Sequence, residues 1–275
     1  MKLLLENWKK YLHESEQSSP EANQDPGMPS PEEEKFFPWL EHIKNKKGTE
    51  AHKVLKNTRL FTHIGSGQYR DVYSPVEDDK IVIKMAKNPK YADMNKKEVE
   101  ASEKYSTLFP KTFSRSPDYT WISMEKVNVI DEDNEEDFEE LIKINFPEIE
   151  KYMRDEKSSV YPALIDGRSD SGVAIFNHII ESLMYGGHAE GTRYPTEHAS
   201  KLAQTYVVPN TSEQEQKALD TLFKFGMNNE PAYAILHRAY NELKLNPADF
   251  GTGNIGMDDR GNMRILDASY DDENL

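Results

Sequence analysis

The spacing of apolar positions changes along the chain and predicts three parts: a leader with its tether, a part rich in strands, and a mostly helical part. In residues 1–14 the apolar side chains recur at helical spacing and form one stripe, which predicts a short amphipathic helix. That stripe consists of Leu4, Leu5, Trp8, Tyr11 and Leu12. Residues 15–31 are rich in Ser, Pro, Glu and Gln and offer little to bury, so a disordered tether is predicted. The packed part of the protein is therefore predicted to begin near residue 32.

The next stretch carries strand patterns separated by turn residues. A β-favouring run leads to Gly65, and Asp71–Pro75 has the pattern of a return strand, so the two predict a hairpin. The β-branched run Ile81–Lys84 and the run Trp121–Val127 predict two further strands. Between them, residues 95–108 have a helical composition with irregular apolar spacing. Together these patterns indicate a small antiparallel sheet accompanied by one helix.

Helical patterns dominate the rest of the packed region. A pattern at Pro31–Lys47 includes several aromatic residues and is predicted to cap the sheet. Further helices are predicted near Asp137–Arg154, Gly172–Tyr185, Thr196–Tyr206, Ser212–Phe225 and Pro231–Leu245. The predicted fold class is α+β, with residues 1–31 as leader and tether, 32–127 as a sheet-bearing part and 128–275 as a mostly helical part.

Three polar residues near the end of the sequence have the spacing of a metal–phosphate site. Asp249 stands five residues before Asn254, and Asp267 thirteen residues after it. Two short apolar runs between Asn254 and Asp267 flank a turn rich in Asp, Gly and Asn, which predicts a hairpin. The ends of a hairpin meet, so the three side chains are expected at one edge. Their oxygens are hard ligands of the kind that Mg²⁺ prefers. The alternative is an acidic surface hairpin.

The hairpin predicted around Gly65 and Gly67 has the features of a phosphate-binding loop. Glycines at such a turn let backbone N–H groups approach phosphate oxygens without interference from a Cβ atom. The pattern of two glycines alone has little specificity. Its place directly before a β-branched strand that ends in a lysine strengthens the interpretation.

Lys84 ends that strand in the V-A-I-K pattern. A glutamate of the following helix is expected to pair with Lys84 and hold its ammonium group against phosphates. Glu98 is the choice, and Glu100 and Glu103 remain open because the apolar spacing does not fix the helix face. For each of them the alternative is a solvated position on a charged helix.

In their order along the chain, these motifs resemble those of the protein-kinase-like superfamily, and specifically the small divergent kinase-like proteins of tailed phages. The resemblance runs from about Leu60 to Leu275. It implies a two-lobed fold, with a small antiparallel β lobe that binds nucleotide at 32–127 and a mostly helical, C-terminally truncated large lobe at 128–275. It also implies ATP and Mg²⁺ as cofactors and phosphotransfer as the activity.

The resemblance assigns roles to the motif residues. The implied nucleotide-binding residues are Gly65, Gly67, Val72, Lys84, Glu98, Met124, Glu125 and Val127. The implied metal ligands are Asn254 and Asp267, and the implied catalytic residues are Asp249 and Lys84. Val72 would cover the adenine face, Met124 would be the gatekeeper, and backbone groups of Glu125–Val127 would hydrogen-bond adenine. Asp249 would accept the proton of the acceptor hydroxyl or orient that group.

The chain departs from the kinase pattern at several points. Arg70 stands where the third glycine of the loop is expected. Pro247-Ala248-Asp249 replaces H-R-D, and Asp267-Ala268-Ser269 replaces D-F-G. Only eight residues follow Asp267, so an activation loop and a peptide-binding platform are not expected. The expected acceptor is therefore the protein itself, a folded partner or a small molecule.

Composition limits the partners and the location. A net charge of −15 argues against a nucleic-acid surface, which needs clustered Lys and Arg. The absence of cysteine excludes disulfides and thiol-ligated zinc. No apolar run approaches the roughly 18 residues that a membrane span needs. A soluble protein of the host-cell cytoplasm is expected, without nucleic-acid or membrane partners.

The leader suggests a second location and leaves other functions open. Its helix resembles the capsid-targeting leaders of tailed-phage internal proteins, and Leu12-His13-Glu14 fits the L-x-E pattern that prohead proteases cut. Packaging in a virion is thus expected, with a helix that packs on its own domain as the alternative. The rival functions are a catalytically inactive kinase-like binding or virion-associated protein, and an AMP transferase.

Overall fold

The structure is a computed structural model that describes residues 37–131, 134–165, 170–185, 213–245, 250 and 253–266. Several sequence predictions concern residues outside these ranges. They are the leader and tether of residues 1–31, the helix at Thr196–Tyr206, and the carboxylates of Asp249 and Asp267.

In the described residues the fold is α+β and contains two antiparallel sheets. The strands of the first are β1 (Phe61–Ser66), β2 (Arg70–Pro75), β3 (Ile81–Ala86), β4 (Thr112–Arg115) and β5 (Trp121–Glu125). These five strands lie in the order β1-β2-β3-β5-β4. The strands of the second are β6 (Asn128–Val129), β7 (Ile255–Met257) and β8 (Met263–Ile265), in that order. The antiparallel sheet predicted from the strand patterns is confirmed.

Most of the remaining described residues are helical. The helices are α1 (Gly48–Asn57), α2 (Ala92–Lys104), α3 (Glu135–Asn145), α4 (Pro147–Arg154), α5 (Tyr161–Leu164), α6 (Gly172–Tyr185), α7 (Glu213–Asn229) and α8 (Pro231–Leu243). Helices α3 to α8 share one large apolar core. Within the described ranges, none of the helices combines the length and the apolar character that crossing a bilayer requires.

The central strand β3 separates two environments because its side chains alternate between the faces of the sheet. Ile81, Ile83 and Met85 are buried on one face, where they pack with Trp39 and Trp121 in a compact apolar cluster. Helix α1 also packs into this cluster through Ala51 and Leu55. The opposite face of β3, which carries Val82 and Lys84, is covered by α2.

The hairpin of β7 and β8 is tied to the helical core and to the end of α2. The Asn145 side chain at the end of α3 donates to the Gly261 carbonyl at 3.0 Å and accepts from the Met263 N–H at 2.9 Å. The Ile265 N–H donates to the Leu108 carbonyl at 2.7 Å. These bonds fix the hairpin close to the α2 side of the five-stranded sheet.

Helix positions differ from the predictions at two places. In the described part of the Pro31–Lys47 pattern, residues 37–47, the structure has a 3-10 turn at Pro38–His42, whereas α1 follows it and was not predicted. Helix α1 buries just two apolar side chains, so its periodic signal is weak. The helix predicted at Asp137–Arg154 is two helices that meet at Phe146, because Pro147 has no N–H to continue α3.

Candidate functional site

The glycine hairpin joins β1 to β2 as predicted. Gly65 lies opposite Val72, and Ser66 lies opposite Asp71. A Cβ atom added at Gly65 would meet no atom within 4 Å, so the space beside it is open. The Gly67 N–H donates to the Arg70 carbonyl at 2.9 Å and closes the turn. Gly67 therefore cannot offer this N–H to a phosphate while the turn stays closed.

Lys84 lies at the centre of the candidate site. Its Nζ donates to a carboxylate oxygen of Glu98 on α2 and to the main-chain carbonyl of Leu266, which precedes Asp267 in the sequence. Glu98 is buried, whereas Glu100 and Glu103 are exposed. The predicted pairing of Lys84 with Glu98 is thus formed, and the alternatives on α2 are excluded by the face that the helix buries.

Arg70 is a site residue that sequence reasoning missed. Its Nη1 donates to the second carboxylate oxygen of Glu98 and lies 3.3 Å from Oδ1 of Asn95. Arg70 is 5% exposed and Asn95 is fully buried. The signal was present in the strand alternation. Once Val72 is placed on the ligand face of β2, Arg70 two residues earlier must lie on the same face.

In the site two cations, buried Arg70 and half-buried Lys84, share the carboxylate of Glu98, and these three side chains form a charged triad. The side chains of Arg70, Lys84 and Glu98 are 6%, 12% and 3% exposed, so water screens their charges weakly. Cationic side chains next to an open glycine hairpin are the groups that an anion such as a phosphate requires.

A buried apolar cluster adjoins the charged triad. Val82, Val99, Ile122 and Met124 form one cluster, and half-buried Val72 packs against it. Val82 lies directly opposite Met124 across the β3–β5 pair, as Val72 lies opposite Lys84 across the β2–β3 pair. An apolar floor beside a cationic end is the chemistry that a nucleotide base and its phosphates require.

Strand β5 leads into the segment predicted to bind adenine, residues 125–127. Two of its N–H groups are already used within the protein. The Glu125 N–H donates to the Lys111 carbonyl at 2.8 Å, and the Lys126 N–H donates to the Lys80 carbonyl at 2.7 Å. These two N–H groups therefore cannot donate to adenine. The groups of the segment that remain for the predicted hydrogen bonds are the Val127 N–H and the main-chain carbonyls.

The segment rests on β7 through a close approach at Gly256. A Cβ atom there would lie 2.5 Å from the Asn128 carbonyl oxygen and 2.6 Å from a methyl carbon of Val127. Gly256→Ala is therefore expected to lower the free energy of unfolding by about 1–3 kcal/mol, because backbone must move to make room. Thermal or urea unfolding measures the loss.

Gly65→Ala is the matched control for this substitution. It also lies in a β region, and its added methyl group would meet open space. Its unfolding midpoint should stay at or slightly above that of the unchanged protein. An equal midpoint for Gly256→Ala would show that the contact between β7 and the adenine-binding segment is looser than the structure indicates.

The hairpin predicted between Asn254 and Asp267 forms as β7 and β8. The Leu266 N–H donates to the Asn254 carbonyl at 2.8 Å, which brings the two ends of the hairpin together. Since the Leu266 carbonyl also accepts from Lys84, half-buried Asn254 lies near the charged triad. The amide oxygen of Asn254 is a suitable ligand for Mg²⁺. The second predicted ligand, Asp267, lies outside the described residues and directly follows Leu266.

Helix α8 leads toward the predicted catalytic loop. It ends at Leu243 and is followed by Lys244, whose positive φ of 51° is the left-handed conformation that terminates many helices. Phe250, the residue after Asp249, is buried in the helical core with its ring centroid 6.2 Å from that of Tyr240. The chain is thus anchored on both sides of residues 246–249, which the structure does not describe.

A second charged group stands on the hairpin at Asp71. Ser66 donates to its carboxylate at 2.7 Å, Lys87 lies 3.6 Å away, and His52 and His63 each lie 3.7 Å away. Burial alone would raise the pKa of Asp71, but the hydrogen bond from Ser66 and the charge of Lys87 outweigh it and lower that pKa. The ionised carboxylate therefore stabilises the fold of this hairpin.

Asp71→Asn is expected to lower the free energy of unfolding by about 1–2 kcal/mol at neutral pH. The pKa of Asp71 is lower in the folded state than its unfolded value of about 3.9. The stabilisation is therefore complete above that value and is lost as the pH falls through the folded pKa. Urea unfolding of both proteins between about pH 7 and pH 3 measures the difference.

Asp93→Asn serves as the control, since Asp93 is exposed on α2 and its ion-pair partner is Lys97 on the next turn of the same helix, at 3.3 Å. Its effect should stay within about 0.5 kcal/mol. A deficit of Asp71→Asn that is constant down to about pH 3 would contradict the ionic origin of the stabilisation.

Comparisons with known proteins add no relative. No protein-family model matches the sequence, and no curated protein matches it. What the chain does is therefore inferred from the arrangement of its own side chains.

Proposed function

We propose that this chain is an ATP- and Mg²⁺-dependent phosphotransferase of kinase-like fold. The position of Lys84 carries the proposal. From strand β3, its ammonium group donates to the buried carboxylate of Glu98 on α2. It also donates to the carbonyl of Leu266, which lies 182 residues away in sequence and directly precedes the candidate metal ligand Asp267. Such a lysine–glutamate pair beside a glycine hairpin positions nucleotide phosphates in kinases. The five-stranded sheet would then be the small lobe, and the helical part with its hairpin the large lobe.

Each part of the site has a task in this proposal. Val72, Val82 and Met124 would pack against adenine, with hydrogen bonds from the backbone at Val127. The glycine hairpin would lie over the phosphates, and Lys84 would bind them while Glu98 holds its ammonium group in place.

The metal and acceptor groups complete the proposed site. Asn254 and Asp267 would hold Mg²⁺, which when bound supplies charge neutralisation at the transferred phosphoryl group. Asp249 would orient the acceptor hydroxyl and take up its proton. These groups position the reactants and stabilise charge, which is most of what phosphoryl transfer asks of a protein.

The proposed acceptor is the protein itself, a folded partner or a small molecule. The serines of residues 15–31 are candidates for self-modification, since a flexible chain of about seventeen residues would span roughly 20–25 Å. We further propose that the protein acts in the cytoplasm of a phage-infected cell and associates with the capsid through residues 1–14.

Incubation with γ-labelled ATP and Mg²⁺, alone and with host lysate, tests the proposal. Label is expected on the protein or on an acceptor, and it should disappear in Asp267→Asn and Asp249→Asn. Nucleotide binding without transfer would instead favour an inactive binding protein. Label from α-labelled but not γ-labelled ATP, with the mass of AMP added to the product, would favour AMP transfer. No binding and no transfer would overturn the proposal.

A further inference from the structure

Arg70 stands at a position where the kinase pattern has glycine, and its side chain has a specific set of contacts. It leaves β2 at the base of the glycine hairpin and reaches Glu98 and Asn95 on α2. The main-chain carbonyl of the same residue accepts the Gly67 N–H that closes the hairpin turn. One residue thus links the hairpin to the helix.

The two carboxylate oxygens of Glu98 are divided between two cations. Oε2 accepts from Arg70, and Oε1 accepts from Lys84. The bond to Arg70 therefore fixes the side-chain rotamer of Glu98 and leaves Oε1 directed at Lys84. Because a planar guanidinium at a buried site has a defined orientation, this bond is more restrictive than one from a second lysine.

Asn95 supports the same arrangement one helical turn earlier. Its Oδ1 lies 3.3 Å from Nη1 of Arg70, and its Nδ2 donates to the Tyr119 carbonyl at 2.8 Å in the turn before β5. Helix α2 is thereby bound to two separate parts of the five-stranded sheet. Asn95 itself is fully buried, so its two contacts fix the position of α2 relative to the sheet.

We propose that Arg70 is a positioning residue that holds α2 and the glycine hairpin together and so aims Lys84 at the nucleotide phosphates. The effect of Arg70 on nucleotide binding rests on the proposed function, whereas its effect on the position of α2 does not. Arg70 acts through Glu98 and need not touch the substrate. In this chain an arginine at the start of β2 thus fixes the position of α2 on the five-stranded sheet.

The test compares Arg70→Met with a matched substitution, Arg115→Met. Arg115 also reaches α2 from the same sheet, 3.5 Å from Glu103, but Glu103 is exposed and does not contact Lys84. Two quantities are measured on the full chain: amide hydrogen exchange of residues 92–104 without nucleotide, and the Kd for ATP with Mg²⁺.

In Arg70→Met, exchange in α2 is expected to accelerate about tenfold and the Kd to rise about tenfold, because Glu98 loses its second anchor. Arg115→Met should change each quantity less than about twofold, even where it lowers thermal stability. Arg70→Lys keeps the charge and should recover part of both effects. A merely structural role for Arg70 would lower stability in parallel with Arg115→Met and leave the Kd unchanged.

Unchanged exchange in α2 together with an unchanged Kd for Arg70→Met would overturn the proposal. If Arg70→Met does not fold, Arg70→Gln replaces it, with the same expected directions and the same overturning result. If the unchanged protein binds no nucleotide, the proposed function fails, while hydrogen exchange alone still decides whether Arg70 positions α2.

Discussion

Lys84→Met is expected to abolish phosphotransfer while it leaves the thermal midpoint within a few degrees of the unchanged protein. The loss of activity follows from the loss of the cation that binds the phosphates, an effect of at least about a hundredfold in rate. The fold should persist because Arg70 still contacts the Glu98 carboxylate, so the buried anion keeps a cationic partner. Transfer from γ-labelled ATP and thermal unfolding measure the two quantities.

Lys80→Met is the control for that substitution. Lys80 immediately precedes β3, is 80% exposed, and has a carboxylate of Asp259 at 4.0 Å as its ion-pair contact. Its activity and stability should match those of the unchanged protein. Near wild-type turnover by Lys84→Met would show that the site assignment is wrong, whatever the stability of the variant.

The parts of the site that depend on local patterns could be predicted from the sequence. The glycine hairpin, the strand that carries Lys84 and the hairpin after Asn254 are each encoded within about twenty residues, so turn and strand signals are enough to find them, although β3 continues to Ala86 and does not end at Lys84 as predicted. Glu98 could be preferred among three glutamates, but the choice required knowing which face of α2 is buried. The structure supplies that face through Asn95, Glu98 and Ser102.

The parts that depend on distant contacts could not be predicted. Arg70 was interpreted only as a departure from the kinase pattern. Its role could not be predicted because its partners on α2 lie 25 and 28 residues further along the sequence. Backbone groups of Glu125–Val127 were expected to hydrogen-bond adenine, yet the N–H groups of Glu125 and Lys126 bond to carbonyls of other segments. Neither arrangement has a periodic signal, since each is decided by how the sheet and its connections pack.

Glu98→Met is expected to destabilise the protein far more than Lys84→Met, by about 3–5 kcal/mol. The reason is an asymmetry in the triad. Removal of one cation leaves the carboxylate with the other, but removal of the carboxylate leaves Arg70 and Lys84 close together at a buried site. Two like charges in a weakly screened environment repel, and each loses a charge-assisted hydrogen bond. Urea unfolding measures the loss.

Glu100→Met is the matched control on the same helix. Glu100 is exposed and its nearest cation, Lys96, is 3.9 Å away, so its loss should cost less than about 0.5 kcal/mol. A double-mutant cycle that combines Arg70→Met with Glu98→Met measures the coupling between the two residues. Adding Arg70→Met to Glu98→Met is expected to recover part of the stability, because it removes one of the two cations that the first change left without the carboxylate. Strictly additive losses in the double variant would show that Arg70 and Glu98 stabilise the fold independently, and the shared carboxylate would then not be the element that orders this site.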